Sequence, residues 1–310
     1  MRIGLTFNLK PPGATGDEYE EYDSEETIAA LEAAIASSGH QTVRLGWGDE
    51  MLDGLRGVRV GGVFNIAEGR GGRGRESQVP AVLEMLGIPC SGAPPLSIAM
   101  TLDKALAKRV AQAHGIPTSK FEVVELGRPR PQISMSFPLF AKPAAEGSSM
   151  GITASSLCRD EQDLDAAIGR LSKYGPVLVE EFLPGEEYTV GIIAGAVLGV
   201  MKVVPRKNEP DFIYSLDVKR DYLNQVEYQL ADAADVEKVA IDVWHAFGLR
   251  DVARVDIRRD SEGVPNFIEV NPLPGVHPIN SDLIILGRLL GIGYEDLIGR
   301  VISSAVARWM

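Results

Sequence analysis

The order of apolar and polar positions predicts alternating strands and helices in the first third of the chain. Apolar segments at 2–7, 41–45 and 58–65 have the length of buried strands, whereas 25–38 and 78–86 repeat apolar residues at helical spacing. Strands that alternate with helices are typical of a parallel sheet covered by helices. We therefore predict an α/β unit at the start of the chain.

The remaining two thirds predict strands and helices in a less regular order, typical of α+β structure. A segment rich in Ser, Gly and Pro at 90–95 marks a boundary before them. Helices are predicted at 101–114, 160–174, 236–247 and 283–308, and strands at 137–143, 152–156, 177–182 and 187–204, the last broken into a pair at Gly195. With 310 residues, the chain is long enough for two or three compact units.

Composition and charge exclude several classes of partner. The net charge of −12 argues against nucleic acid and anionic membranes, because proteins that bind them carry basic patches. Cys90 and Cys158 have no metal-binding or redox spacing, and no apolar run is long enough to span a membrane. These features predict a cytoplasmic protein with no nucleic-acid or membrane partner.

An acidic run at 17–23 precedes the first predicted helix. Its simplest interpretation is a solvated loop in which Asp23 caps the helix, with Glu26 three residues on, as in a capping box. The two tyrosines in the run also allow a second interpretation, in which the loop contacts a substrate.

A predicted hairpin near the end of the chain carries the side chains most suggestive of chemistry. Two apolar-alternating segments flank the turn-forming residues 259–265, with Asp256 on the first segment and Glu269 and Asn271 on the second. Glu269 and Asn271 are two residues apart and share one face of a strand. If the register brings Asp256 alongside, three oxygen-bearing side chains converge as hard divalent cations require. Arg254 would place a permanent positive charge beside them.

A loop of small residues after a predicted strand is a candidate phosphate-binding segment. Lys142 ends the strand, and Gly147, Ser148, Ser149 and Gly151 follow. Such a loop offers backbone N–H groups and hydroxyls to phosphate oxygens with little steric bulk. A flexible hairpin turn is the alternative, and the loop lacks the G-K-S/T ending of a P-loop.

The glycine-rich segment at 69–74 fits the dinucleotide-binding pattern G-x-G-x-x-G, but its context does not. It follows a later strand, and no acidic residue stands about twenty positions on to bind a ribose hydroxyl. A glycine-rich turn between lobes is the better interpretation. A third possibility is substrate contact through Glu68, Arg70 or Arg75.

Two further segments fit a nucleotide site when they are taken together. Lys104 and Lys108 share one face of the helix predicted at 101–114, either as a solvated face or as phosphate ligands. The segment 180–187 is an acidic turn by itself. As a hinge between lobes, it would hold an adenine against Phe182 and Leu183 and offer a carboxylate to a ribose.

In this order, the motifs resemble the ATP-grasp superfamily, and within it the D-alanine–D-alanine ligases. The matching segments run through most of the chain, at 63–72, 86–93, 101–104, 142–151, 180–190, 254–256 and 269–275. The resemblance implies three lobes: an N-terminal α/β lobe at 1–95, a central ATP-grasp lobe at 96–184 and a C-terminal ATP-grasp lobe with the metal site at 185–310. ATP would lie between the two α+β lobes.

The resemblance also implies roles for individual residues. Lys104 and Lys142 would contact the ATP phosphates, Lys219 would reach the γ-phosphate, and Ser148 and Ser149 would lie in the loop that closes over the phosphates. Glu180, Phe182 and Leu183 would line the adenine pocket, and Glu187 would bind the ribose. Asp256, Glu269 and Asn271 would hold two magnesium ions, with manganese as an alternative, and Arg254 would stabilise the oxyanion.

The activity implied is an ATP-dependent carboxylate–amine ligase of peptidoglycan biosynthesis. A substrate carboxylate would attack the γ-phosphate, and an amine would then displace phosphate from the acyl phosphate. Positioning and charge neutralisation would supply the rate, without a side-chain nucleophile. Amino acids are the implied substrates, and a homodimer is implied because related ligases are commonly dimers.

The substrate-binding segments depart from the family pattern. The first loop, at 11–24, is long, and Glu21, Asp23 or Ser24 would have to replace the family's serine–glutamate pair. Glu68 stands where the family usually has histidine. In place of the family's serine–leucine pair, Asn280 and Ser281 remain as possible hydrogen-bond donors. Two alternatives to D-alanine ligation therefore stand: a ligase for another amino acid or biosynthetic intermediate, and a non-catalytic nucleotide-binding module.

Overall fold

Three β-sheets, each with helices packed on it, make up the computed structural model, which describes residues 1–14, 19–207 and 211–310. The first sheet is parallel, with strand order β2-β1-β3, as the alternation of strands and helices predicts. Its elements are β1 (Arg2–Thr6), α1 (Glu25–Ser37), β2 (Gln41–Arg44), α2 (Asp49–Gly57), β3 (Gly62–Asn65) and α3 (Gln78–Met85).

The second sheet is antiparallel and carries the phosphate-loop candidate at the end of one strand. Its strand order is β4-β7-β5-β6. The elements of this part are α4 (Pro95–Leu102), α5 (Lys104–Ala113), β4 (Phe121–Val124), β5 (Leu139–Pro143), β6 (Leu157–Cys158), α6 (Glu161–Leu171) and β7 (Val177–Glu181).

The third sheet is also antiparallel and contains the hairpin, with strand order β10-β9-β8-β11-β12. Its strands and helices are β8 (Glu187–Ile193), β9 (Ala196–Pro205), α7 (Leu216–Arg220), α8 (Tyr222–Gln225), β10 (Val226–Leu230), α9 (Ala234–Ala246), β11 (Val252–Arg259), β12 (Pro265–Asn271), α10 (Asp282–Leu289) and α11 (Tyr294–Trp309).

The last helix of the chain packs against the first sheet and joins the two ends of the molecule. Ile3 and Leu5 of β1 share one buried cluster with Ile298 and Val301 of α11. Burying each such side chain contributes about 1.5–3 kcal/mol, so this packing holds the N-terminal lobe firmly against the C-terminal lobe. The predicted lobe boundaries stay predictions.

Several predicted elements are wrong in detail, for local reasons. The predicted strand at 152–156 is a short 3₁₀ turn, because Thr153 and Ser156 cap each other. The helix predicted at 101–114 divides at Asp103, whose carboxylate caps α5. The helix predicted at 283–308 divides where Gly291 adopts a left-handed φ of 75°. The strand predicted at 58–65 begins only at Gly62.

The cap of α1 is also different from the prediction. Ser24, not Asp23, accepts the N–H of Thr27 at the start of the helix. In the acidic run, residues 17 and 18 lie outside the described part of the chain. The strands β4 and β10 and the helix α2 were absent from the sequence prediction. None of the helices in the described ranges has the length and apolar character needed to cross a membrane.

Candidate active site

The predicted hairpin forms in a register that brings its polar side chains together. In the antiparallel pair of β11 and β12, Asp256 lies opposite Glu269 and Arg254 lies opposite Asn271. The Asn271 amide donates to Asp256 Oδ2 over 3.3 Å, and the hydroxyl of Thr189, on β8, donates to Asp256 Oδ1 over 2.9 Å. A bulge directly after Asp256 changes the register of the rest of the hairpin. Two carboxylates and one amide are therefore held side by side.

Opposite pKa shifts distinguish the two carboxyl groups of this hairpin. Burial raises the pKa of Asp256, against the opposing charge of Arg254. Burial would also raise the pKa of Glu269, but the charges of Lys104, Lys142, Lys219 and Arg254 hold it well below its usual range. Glu269 is therefore ionised at neutral pH and faces a strongly positive surrounding.

The donor set of the hairpin fits a hard divalent cation. The Asn271 Nδ2 group is turned toward Asp256, so its oxygen is available to a ligand. Carboxylate and amide oxygens are the protein ligands that magnesium prefers. The metal-binding role of Asp256, Glu269 and Asn271 stays a prediction with chemically suitable ligands.

A buried network of lysines and one glutamate adjoins the hairpin. Glu180 Oε1 lies 2.6 Å from Lys142 Nζ, and Glu180 Oε2 lies 2.7 Å from Lys108 Nζ. Ser119 donates to the same Oε2 over 2.8 Å. Burial would raise the pKa of Glu180, but Lys108 and Lys142 lower it to about 2. The ionised Glu180 thus fixes both lysines.

These contacts change two expectations about the lysine network. Lys104 and Lys108 are buried, 7% and 0% exposed, so the interpretation of their helix face as solvated is wrong. Lys104 Nζ lies 3.1 Å from Glu269 Oε2 and donates to the Glu146 carbonyl. Glu180 also lines the cleft described in the next paragraph, but its carboxylate is bonded to Lys108 and Lys142. An adenine in that cleft would therefore meet the backbone or the methylene groups of Glu180.

A cleft between the second and third sheets combines apolar and charged side chains. Arg258 lies 5.1 Å over the ring of Phe182, and its guanidinium is 3.2 Å from Glu187. Apolar walls with a few charged groups are typical of small-molecule sites. The apolar lining residues are Phe140, Ile152, Phe182, Leu183, Ile213 and Ile268, and the charged ones include Lys142, Glu180, Glu187, Lys219, Asp256, Arg258 and Glu269.

The serine loop lies where this cleft meets a second cavity. Ser148 and Ser149 both have left-handed backbone, with φ of 48° and 57°. Ser149 lines the cleft, and its hydroxyl donates to the Tyr214 carbonyl over 3.5 Å. Ser148 lines the second cavity. Strained backbone of this kind persists only where the surroundings hold it, often at ligand-binding loops.

Lys219 and Arg254 stand at the junction of the two cavities. Lys219 lines both, and its ammonium group lies 5.0 Å over the ring of Tyr214. Arg254 lines the second cavity, with Nη2 2.9 Å from Asp256 and Nη1 3.1 Å from Asp282. A group reacting between the cavities would therefore meet two cations.

The far wall of the second cavity is rich in carboxylates. Glu21 pairs with Arg75 at 2.8 Å, whereas the side chains of Asp23, Glu68 and Glu76 accept no hydrogen bond and form no ion pair among the described residues. Oxygens of Glu21, Glu68 and Glu76 lie within 4.8 Å of one another. Burial raises the pKa of Asp23 and of Glu76 to about 7, and burial and neighbouring carboxylates raise that of Glu68.

The three weakly supported substrate residues all line this cavity, but with different surroundings. Glu68 is one of the carboxylates just described, while Asn280 and Ser281 come from the segment directly before α10. The Ser281 hydroxyl accepts the N–H of His277 over 2.9 Å, so it already has one partner. Their substrate contacts stay predictions.

The glycine-rich segment at 69–74 connects lobes, as the sequence interpretation favoured. Gly69 has a φ of 73°, and a side chain there would meet the Arg75 carbonyl oxygen at 2.1 Å. Arg75 reaches across to Glu21 and to the Ala145 carbonyl, and Arg73 pairs with Asp103. The segment therefore ties the N-terminal lobe to the central one.

Several site residues were missed by the sequence interpretation. Ser119, Thr189, Arg258 and Asp282 have no local motif, and their partners are more than fifty residues away or on another strand. The pairing of distant elements would be needed to find them.

Comparison with known proteins places this geometry in a family. The family model "D-ala D-ala ligase C-terminus" matches residues 110–303. A D-alanine–D-alanine ligase of Pseudomonas entomophila is 32% identical over 99% of this chain and 97% of its own length. The chain belongs to the D-alanine–D-alanine ligase family. Ligase B of Pseudomonas putida is 31% identical over 99% of this chain and 97% of its own length.

Solved structures agree with the fold. The D-alanine–D-alanine ligase of Bacillus anthracis, in a complex with ATP, superposes with a TM-score of 0.78 at 21% identity, covering 100% of this chain and 98% of its own. Membership confirms the predicted family, its ATP-grasp fold and its enzyme class, a ligase that forms carbon–nitrogen bonds.

Proposed function

We propose that this protein uses ATP to activate an amino-acid carboxylate and then joins it to an amine. The observation that carries the proposal is the convergence of Lys142, Lys219, Arg254, Asp256 and Glu269 at the junction of the two cavities. This set provides cations for a phosphate chain and oxygen ligands for the metal ions that accompany it. A non-catalytic nucleotide-binding module would be expected to have lost at least one of these residues, so the complete set argues against that alternative.

The chemistry begins with transfer of the γ-phosphoryl group. An oxygen of the substrate carboxylate attacks the γ-phosphorus, the bond to the β-phosphate oxygen breaks, and ADP leaves. Lys142 would hold the phosphate chain, and Lys219 would offset charge on the transferred group. Asp256, Glu269 and Asn271 would hold magnesium, or manganese, which when bound neutralises phosphate oxygens.

The second step forms the new bond. The lone pair of an amine attacks the acyl carbon. The carbon–oxygen bond to phosphate then breaks, and inorganic phosphate leaves with the electron pair of that bond and takes up the proton that the amine nitrogen loses. Arg254 would stabilise the oxyanion on the acyl carbon. Loss of one such electrostatic stabiliser typically costs about 3–4 kcal/mol of barrier.

D-alanine is the first candidate for both substrates. Relatives named D-alanine–D-alanine ligase are 31–32% identical over nearly the whole chain. A second candidate is the same reaction with another amino acid or biosynthetic intermediate, because Glu68 and Asn280, which depart from the family pattern, both line the second cavity. The homodimer and the cytoplasmic location also stay predictions, and the size of the purified protein in solution tests the first.

The experiment combines purified protein, ATP and magnesium with a panel of D- and L-amino acids and with hydroxylamine. Hydroxylamine traps an acyl phosphate as a hydroxamate, so activation is detected even when the natural amine is missing. Phosphate release together with a hydroxamate of the expected mass supports the proposal, and D-alanine should give the strongest signal. ATP binding without hydroxamate from any carboxylate would instead favour the non-catalytic module.

A further inference from the structure

Arg75 joins three segments that border the second cavity. It directly follows the glycine-rich segment at 69–74 and is only 8% exposed. Its Nε and Nη2 groups donate to the carboxylate of Glu21, over 3.1 and 2.8 Å, and its Nη1 group donates to the Ala145 carbonyl over 3.0 Å. A guanidinium is planar and has five N–H groups, so one side chain can bond a carboxylate and a carbonyl at the same time. A single residue thus connects the N-terminal loop, the glycine-rich segment and the loop after β5.

The serine loop, residues 144–151, is linked to the start of the chain through this arginine. Among the described residues, no hydrogen bond other than that of Arg75 connects residues 1–95 to this loop. Ser148 and Ser149 both adopt left-handed backbone, which persists only where neighbouring groups hold it. Loss of the arginine would therefore release one side of a strained loop.

The carboxylate of Glu21 also lies directly against the serine loop. Gly147 has no side chain, and a Cβ atom there would lie 2.1 Å from Glu21 Oε1. The ion pair between Arg75 and Glu21 is largely buried, since the two side chains are 10% and 11% exposed. A bidentate arginine–carboxylate pair has a fixed geometry. Arg75 therefore determines where the Glu21 carboxylate lies against the loop.

The serine loop borders the junction at which the acyl phosphate of the proposed reaction would form. Ser149 lines the cleft, whereas Gly147 and Ser148 line the second cavity. Water that enters the junction would add to the acyl carbon and break the carbon–oxygen bond to phosphate. Phosphate would leave with the electron pair of that bond, the carboxylate would be regenerated, and the protons of the water would pass to phosphate and solvent. ATP would then be consumed without a product, and loops that close an active site prevent such side reactions.

We propose that Arg75 is a positioning residue that keeps the serine loop closed until the amine attacks the acyl phosphate. It acts through the Glu21 carboxylate and the Ala145 carbonyl, and it need not contact the reacting atoms. The inference rests on the proposed function and deepens it, because it concerns how the same site protects its intermediate from water. A hydrogen bond from a charged group is strong enough that its loss should raise the open fraction of the loop by about tenfold.

The experiment compares ADP formation with product formation, using the amino acid that gives the most product in the panel and counting hydroxamate as the product where no amino acid is joined. The wild-type protein should form about one ADP per product, because its intermediate is protected. In Arg75→Met, the rate of ADP formation that is not matched by product should rise about tenfold. Gly147→Ala should have the same effect, because its methyl group displaces the Glu21 carboxylate from the position that Arg75 fixes. The control is Arg56→Met, which removes an exposed arginine paired with Asp53 on the same helix and should behave like the wild type.

The outcomes separate this role from a purely structural one. If Arg75 only stabilised the fold, Arg75→Met would lower ADP and product formation in proportion, and that unchanged ratio would overturn the proposal. If Arg75→Met does not fold, Gly147→Ala decides the matter, and a wild-type ratio in that variant would overturn the proposal as well. A wild-type protein that already forms a large excess of ADP over product has the same consequence. Absence of both product and hydroxamate refutes the proposed function instead, so the two failures are distinguishable.

Discussion

Replacing Lys108 with methionine tests whether the buried lysine network is built as described. Lys108 is fully buried, and its ammonium group contacts Glu180, Thr118 Oγ1 at 2.7 Å and Ser119 Oγ at 2.9 Å. Methionine keeps most of the volume of the side chain and removes the charge. Glu180 would then lose one of its two cations but keep a one-to-one ion pair with Lys142 and the hydrogen bond from Ser119.

Lys108→Met removes a charged hydrogen bond to Glu180 while the pair with Lys142 remains, and a hydrogen bond to a charged group contributes about 1.5–3 kcal/mol. We expect Lys108→Met to lose that much free energy of unfolding in urea titrations. The KM for ATP should rise about tenfold, since Lys142 would be drawn more fully to Glu180 and offer less charge to phosphate. Lys238→Met removes an exposed lysine paired with Asp242 and should change stability by about 0.5 kcal/mol or less.

A second substitution sharpens the test. Glu180→Gln added to Lys108→Met leaves the buried ammonium group of Lys142 without its carboxylate partner, so the double variant should be less stable than Lys108→Met by a further ~3–5 kcal/mol. The reasoning is refuted if Lys108→Met unfolds at the same urea concentration as the Lys238→Met control. It is equally refuted if the double variant is as stable as Lys108→Met alone.

Three further outcomes are expected. Glu269→Ala should abolish ATP turnover without unfolding the protein, measured by phosphate release and circular dichroism, and a fully active variant would contradict the metal assignment. Asp23→Asn should raise the free energy of unfolding at pH 8 and change it little at pH 4. Burial raises the pKa of Asp23 to about 7, so above that pH the folded protein must hold a buried negative charge, which asparagine removes. Equal effects on the urea midpoint at both pH values would contradict this. Gly69→Ala should lower stability by about 1–3 kcal/mol, because its φ of 73° and the Arg75 carbonyl leave no room for a side chain, and an unchanged urea midpoint would rule out that strain.

The nucleotide half of the site was predictable from sequence because its residues are close together along the chain. Asp256, Glu269 and Asn271 belong to one hairpin, where strand alternation and a short turn determine which side chains meet. Lys142 stands at the end of a strand, directly before the serine loop. In each case, local geometry carries the side chain to its place, so a short pattern contains most of the information.

The partners of these residues were not predictable, because contacts between distant elements decide them. Glu180 looked like one carboxylate of an acidic turn, yet it neutralises Lys108 and Lys142 inside the core. Arg258 belongs to no motif in the sequence, yet it lies over Phe182 and pairs with Glu187. A sequence pattern shows that a charged side chain is present. How the sheets pack decides whether that side chain is buried and which opposite charge it pairs with.

The same distinction explains why the identity of the second substrate is harder to infer than the reaction. The reacting groups are held by strands, whose geometry allows few alternatives, whereas the walls of the second cavity come from the N-terminal loop, the segment after Asn65 and the start of α10. Loops tolerate substitution because they carry little of the core packing. Residues of these loops can therefore be exchanged without disturbing β11, the strand that presents Arg254. Substrate choice can thus change while the chemistry at the hairpin stays the same.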